Sequence, residues 1–327
     1  MRDFTPHPFR PAWWLPGPHL PTVWGKFGRH QPLVHDRVER WTTPDDDHLT
    51  IARMGHARPG VPHLLILHGL EGKLTAKYAH GLLAQIRAMG WSGDLMLFRS
   101  CDGELNRARR MYHSGETTDI DFVVRRLIAD SPRTPLVIAG VSLGGNVTLK
   151  WLGEQGSAVP EQVVAAAAVS TPFDLAAGSR HLERGFARQY VKHFLKTLTA
   201  KTLAKLEQYP DLCDRERLLA CRTFWEFDDL VTGPVHGFTG AADYYTRSSS
   251  IGFIERIAVP TLLLSAKDDP FLPAEVLERV WGIAARNGML RPHFTERGGH
   301  VGWVEGLPIS QRFYMESTLA QWFACCF

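Results

Sequence analysis

The feature that most restricts the fold is a series of apolar runs without polar interruption, separated by residues of helical period. The runs lie within HLLILHG (63–69), DLMLFRS (94–100), PLVIAGVS (135–142), QVVAAAAVS (162–170) and VPTLLLSA (259–266). A strand with one face in water alternates apolar and polar residues, whereas an unbroken apolar run is a strand covered on both faces. Between the runs the period lengthens. Tyr78, Leu82, Ile86 and Met89 fall on one helical face that stops at Gly90, and Ile120, Val123, Val124 and Leu127 fall on another. Strands alternating with helices of this length predict an α/β fold, a mostly parallel central sheet with helices on both faces. Burying such a sheet takes a large core, for which 327 residues at 44% hydrophobic content suffice.

The alternation breaks after Pro172. Residues 175–250 carry almost no strand signal, and YVKHFLKTLTAKTLAKLEQY gathers Leu195, Leu198, Leu203 and Leu206 on one side of a helix. This predicts a helical lid inserted into a core made of 33–174 and 251–327, with residues 1–32 as an N-terminal arm packing on the body. Trp13 and Trp14 in that arm are too apolar to stand in water and should pack across the body or the cleft. After the insertion, RPHFTERGGH reads as the last strand and the segment from about Ser310 to Phe323 as a terminal helix.

The run PLVIAGVS ends in Gly140-Val141-Ser142-Leu143-Gly144 and passes straight into a helical pattern. A strand that turns at once into a helix holds the apex residue in a strained conformation and crowds its neighbours, which glycines at Gly140 and Gly144 relieve. The apex is Ser142, at the carboxyl end of the sheet where open α/β folds bind ligands. That is a nucleophile's position. A serine hydroxyl needs a base, and the base needs a carboxylate. His300, in TERGGHVGW after the last expected strand, supplies the base. SAKDDP supplies Asp268 and Asp269 after the preceding strand; the strand end favours Asp269, leaving Asp268 as a solvated or loop-capping residue. The order Ser, acid, His is that of α/β-hydrolases. Oxyanion donors are expected from the N–H of Leu143 and from Leu70 in HGLEG, where Gly69 and Gly72 allow close approach and His68 braces the loop.

The remaining composition excludes other classes. Lys plus Arg number 37 against 34 Asp plus Glu, so no field directs the chain to nucleic acid. Five cysteines without a Cys-x-x-Cys spacing offer neither a disulfide framework nor a zinc site, and the chemistry above needs no metal or organic cofactor. The first 25 residues are too rich in Pro, His and Arg for a signal peptide, and no run reaches the ~18 apolar residues of a membrane span. These features predict a cytoplasmic protein without stable membrane insertion.

The segments HGLEGKLTAKYAHGLLAQIRAMGW, FRSCDGELNRARRMYHSGETTDIDFVVRRL, GVSLGGNVTLKWL, FDDLVTGPVHGFTGAADYY, AKDDPFLP and GGHVGW resemble the YheT-type α/β-hydrolases, bacterial relatives of the mammalian abhydrolase lipases. The match runs from PHLPTVWG to the terminal helix. It implies an α/β-hydrolase fold with a helical lid and a Ser142, Asp269, His300 triad acting on carboxylic esters. The chain departs at Ser100, where relatives more often carry glycine, which bears on local loop shape.

The expected function is a serine carboxylesterase or lipase-like hydrolase of a small-molecule ester, with an apolar acyl group suggested by the apolar lid. The same triad could instead serve an acyltransferase or thioesterase, and a ligand-binding protein on this scaffold is the reading from another class. Lys192, Lys196, Lys201 and Lys205 read as a solvated face of the lid, with weak lipid-surface contact as the other reading. His113 with Asp119 reads as part of a helix start capped by Ser114 or Thr117, rather than as a catalytic pair.

Overall fold

The computed structural model describes residues 4–327; the first three residues of the N-terminal arm lie outside it. Eight strands form one sheet: β1 (Arg37–Thr42), β2 (His48–Met54), β3 (His63–Leu67), β4 (Ser92–Leu97), β5 (Leu136–Val141), β6 (Val163–Val169), β7 (Thr261–Ala266) and β8 (Leu290–Thr295). Their order is β1-β2-β4-β3-β5-β6-β7-β8. From β4 to β8 neighbours run parallel, while β2 pairs antiparallel with both β1 and β4.

The pleat sends alternate residues of each central strand to opposite cores. Leu65 and Leu67 of β3 face one core with α3 (Thr118–Asp130), α4 (Leu143–Gln155) and the helix Ala274–Ala284; Leu64 and Ile66 face the other. That second core is closed by α2 (Lys77–Ala88) and the terminal helix Tyr314–Cys326. Every residue of β3, β4, β5 and β7 is buried, which is what their unbroken apolar runs require.

Two features depart from the sequence pattern. The strands β1 and β2 carry no uninterrupted run: β1 is an edge strand with only Trp41 buried and charged residues between, and β2, though buried at every residue but Arg53, mixes His48, Thr50 and Arg53 with its apolar residues. The segment expected to begin the terminal helix near Ser310 is instead a hairpin of β9 (Val304–Leu307) and β10 (Ser310–Phe313), with the helix starting at Tyr314. Gly306, at φ 84°, lies in β9, and Ser310–Phe313 pair with that strand residue for residue, which takes their backbone out of the helix.

Between β6 and β7 every element is helical, beginning with α5 (Leu175–Leu182) and α6 (Arg188–Gln208). Further on come Phe224–Phe227, a π turn at Asp228–Thr232 and the helix Ala241–Ser248. Leu195, Leu206, Leu212, Leu218, Phe227 and Val231 give this segment its own apolar core. The lysines of α6 are not one solvated face. Lys205 is fully buried and donates to the carbonyls of Asn106 and Ala108, and Lys201 is paired with Glu71; only Lys192 and Lys196 are exposed. The expectation failed because these two ammonium groups find fixed acceptors in loops distant in sequence.

In the N-terminal arm, Trp14 donates from its indole to the Gly306 carbonyl at 2.9 Å and packs edge-on against Trp24. Trp13 does not pack as expected and is 77% exposed. The short helix α1 (His19–Phe27) lies against the loop after β8, where Gly299 and Gly302 leave room for the backbone of Pro18 and Pro21.

Candidate active site

Ser142 stands between the last residue of β5 and the first of α4 with φ 54° and ψ −119°, a conformation costly for any residue with a side chain. The surrounding glycines make the turn possible by close approach. A Cβ on Gly140 would strike the Gly144 carbonyl and Thr148, and one on Gly144 would strike the carbonyls of Leu67 and His68. The helix therefore lies directly on β3 and β5, and the Ser142 side chain projects into a cavity between sheet and insertion.

Three residues from three loops meet there. The Nε2 of His300 lies 2.9 Å from Ser142 Oγ, and its Nδ1 lies 2.8 Å from Asp269 Oδ2 and 3.1 Å from Oδ1. The Asp269 carboxylate also accepts from Phe271 N–H at 2.8 Å, and the Phe271 ring stacks flat on the imidazole with centroids 3.9 Å apart. Asp268 turns away to accept from Gly299 N–H at 2.8 Å, so it caps the histidine's loop; burial raises its carboxyl pKa. The loop is held from outside by Thr22, whose hydroxyl accepts from His300 N–H at 2.8 Å and donates to Pro18 O at 2.7 Å.

The loop after β3 presents Leu70 to the same cavity, as α4 presents Leu143. On either side of Leu70, Gly69 N–H donates to the Tyr78 hydroxyl and Glu71 N–H to the Tyr112 hydroxyl, both at 2.9 Å. Among the described residues neither Leu70 N–H nor Leu143 N–H donates to any protein group. Tyr112 returns its own proton to the Glu71 carboxylate at 2.7 Å, and Lys201 from α6 reaches the same oxygen at 2.7 Å. Glu71 itself sits at φ 55°. Below the loop, His68 is fully buried, its Nδ1 2.7 Å from Gly69 O while Nε2 accepts from Phe98 N–H at 3.1 Å. Burial lowers its pKa to about 4, so the ring is a neutral brace with a fixed tautomer.

Ser100 also adopts a left-handed conformation, at φ 61°, and stabilises it through hydrogen bonds with Asn106; glycine is the easier residue there. Asp119 holds the buried guanidinium of Arg99, and His113 accepts from Gly115 N–H. The expected caps at Ser114 and Thr117 are absent: α3 is capped by the Glu116 carboxylate, which accepts from Thr118 N–H at 2.6 Å. Tyr78, Tyr112, Thr22, Phe271 and Lys201 had no local sequence signal, since each acts through a partner at least nine residues away or, for Phe271, through a ring stacked across the loop.

A family model described as alpha/beta hydrolase fold matches residues 62–306. The chain belongs to the α/β-hydrolase family. This α/β-hydrolase is 38% identical over 308 residues to the Escherichia coli protein named "Putative esterase YheT", a match covering 93% of this chain and 89% of that one. It is 29% identical over 299 residues to a monoacylglycerol lipase of Saccharomyces cerevisiae, covering 88% of this chain but 64% of the yeast protein. Among solved structures, the esterase Pf2001 of Pyrococcus furiosus superposes with a TM-score of 0.58 at 16% identity, covering 89% of this chain and 91% of that one; the likeness is one of fold. These relatives place it among the esterase- and lipase-type α/β-hydrolases. Among the described residues no helix is long and apolar enough to cross a membrane.

Proposed function

We propose that this α/β-hydrolase is a serine carboxylesterase acting on small-molecule esters through an acyl-enzyme. The observation that carries the proposal is the continuous line from Ser142 Oγ through His300 to Asp269, beside two N–H groups without protein partners. Ser142 attacks the ester carbonyl while its proton passes to His300 Nε2, and the Asp269 carboxylate accepts from Nδ1–H and supports the imidazolium. The carbonyl oxygen becomes an oxyanion held by Leu70 and Leu143 N–H groups, each worth about 3 kcal/mol in the transition state. The intermediate collapses, the C–O bond to the alcohol breaks, and the alcohol leaves with the proton from Nε2. Water then adds to the acyl-enzyme by the same steps and releases the acid.

Residues 175–250 act as the lid of this site. Leu175, Leu182, Phe194, Leu198, Phe224 and Phe227 supply much of its apolar lining, which suits an apolar acyl group. All five cysteines are free, consistent with a reducing cytoplasmic setting. The test is hydrolysis of p-nitrophenyl esters from acetate to palmitate by wild type and Ser142→Ala. Turnover that falls by about a thousandfold or more in the variant is the expected result. Wild-type inactivity on every ester, together with failure of a fluorophosphonate to label Ser142, would overturn the proposal in favour of ligand binding without catalysis.

A further inference from the structure

One wall of the cavity is out of keeping with the rest. Amid the apolar lining of the insertion, Ser179, Asp228, Thr232 and Tyr245 form a polar cluster that opens on the same space as Ser142 and His300. Asp228 is its centre. One carboxylate oxygen accepts from Thr232 Oγ at 2.6 Å and the other from the Tyr245 hydroxyl at 2.7 Å, which lies 3.3 Å from Ser179 Oγ. Among the described residues no lysine, arginine or histidine pairs with it. Its neighbour Asp229 points the other way and accepts from Ala241 N–H.

Holding two hydroxyls together does not require a carboxyl, since an amide would accept from one and donate to the other. A carboxyl in an apolar cavity is costly, and burial pushes the Asp228 pKa up to about 6. The local backbone is built to hold it there. A capping box between Thr223 and Glu226 fixes the start of Phe224–Phe227, and the chain continues through the π turn that places both Asp228 and Thr232 on the cavity wall. Each carboxylate oxygen has one protein partner and keeps acceptor capacity for a donor in the cavity.

We propose that Asp228 is the polar end of the substrate site, accepting a hydrogen bond from a hydroxyl or ammonium group that the ester carries away from its scissile carbonyl. The inference rests on the esterase reading and refines its substrate class: esters whose portion beneath the lid is not wholly hydrocarbon. Thr232 and Tyr245 orient the carboxylate, and the apolar residues around it exclude water that would compete for it.

The experiment compares kcat/KM for matched esters ending in methyl, hydroxyl or ammonium, in one series on the acyl chain and in a second on the alcohol. Wild type is expected to prefer a donor-bearing ester in one series by about 10- to 100-fold, the discrimination of one hydrogen bond to a charged group. Whether hydroxyl or ammonium leads identifies the donor. In Asp228→Leu, which has no acceptor, that ratio falls to within about twofold of unity; Asp228→Asn, whose amide oxygen still accepts but carries no charge, loses a preference for ammonium and weakens one for hydroxyl. A role confined to packing the insertion would change both members of a pair alike and leave the ratio intact. No preference in wild type, or one that survives in both Asp228 variants, would overturn the subsite. Wild type inactive on every ester, the methyl-ended ones included, would instead overturn the esterase reading, and the subsite with it.

Discussion

Adjacent aspartates with the same chemistry end up in different jobs because successive residues past β7 point in different directions. Asp269 turns to the His300 ring, and Asp268 turns to the backbone of the histidine's loop. Asp269→Asn is expected to lower kcat/KM by about ten-thousandfold through loss of the correct tautomer and of charge support. Asp268→Asn, which can still accept from Gly299, should cost no more than about tenfold; equal losses in steady-state kinetics would refute the assignment. Asp228 gives a residue-scale prediction about stability. Burial raises its folded pKa from 3.8 to about 6, so between those values the folded chain holds a proton that the unfolded chain has lost. Its contribution to stability is therefore full below pH 3.8 and is lost as pH rises through 6. Asp228→Asn has no such loss, and its melting temperature relative to wild type should rise between pH 4.5 and 7.5. The other titrating groups around the cavity do not obscure this window. Burial pushes Tyr112, Tyr244 and Tyr245 up, away from this window, and pushes His113 and His236 down, histidines that are common to both proteins.

At the scale of elements, α6 reaches across to the loop that carries Leu70. Glu71 receives Lys201 from the insertion and Tyr112 from the body on one carboxylate oxygen, and its own N–H is held by the same tyrosine. Lys201→Met should release one side of this link and lower kcat by about tenfold with a smaller change in KM, since the Leu70 N–H would lose its aim rather than the substrate its pocket. A change confined to KM would argue against coupling between insertion and loop. Which elements were legible in the sequence follows from burial. The strands β3 to β7 are covered on both faces and announce themselves as unbroken runs, whereas β1, β9 and β10 are partly exposed and mix charged with apolar residues. Ser142, Asp269 and His300 could be picked out because a turn motif and strand ends fix where they stand. Lys201 and Lys205 could not, because a lysine on an amphipathic helix has the same pattern whether its acceptor is water or a buried carbonyl.

Across the whole molecule, the site is closed by contacts between distant parts of the chain. Thr22 in α1 holds the backbone of His300, separated from it by 278 positions in sequence. Thr22→Val keeps the shape of the side chain but removes the acceptor, and should reduce kcat several-fold while moving the melting temperature by only a few degrees, the scale set by one hydrogen bond of about 1 kcal/mol. An unchanged kcat would show that the loop holds its shape without α1. The same contact has a consequence for synthesis. Strands β1 to β6 and the Ser142 turn emerge from the ribosome in the first 169 residues, but Asp269 and His300 follow only after the insertion has been made. The proposed nucleophile is therefore translated long before its proposed base, and α1 must wait for the loop it clamps. During elongation Ser142 stands at its turn without the histidine and aspartate that it meets in the folded chain, and the proposed triad assembles only after β7 and β8 have joined the sheet.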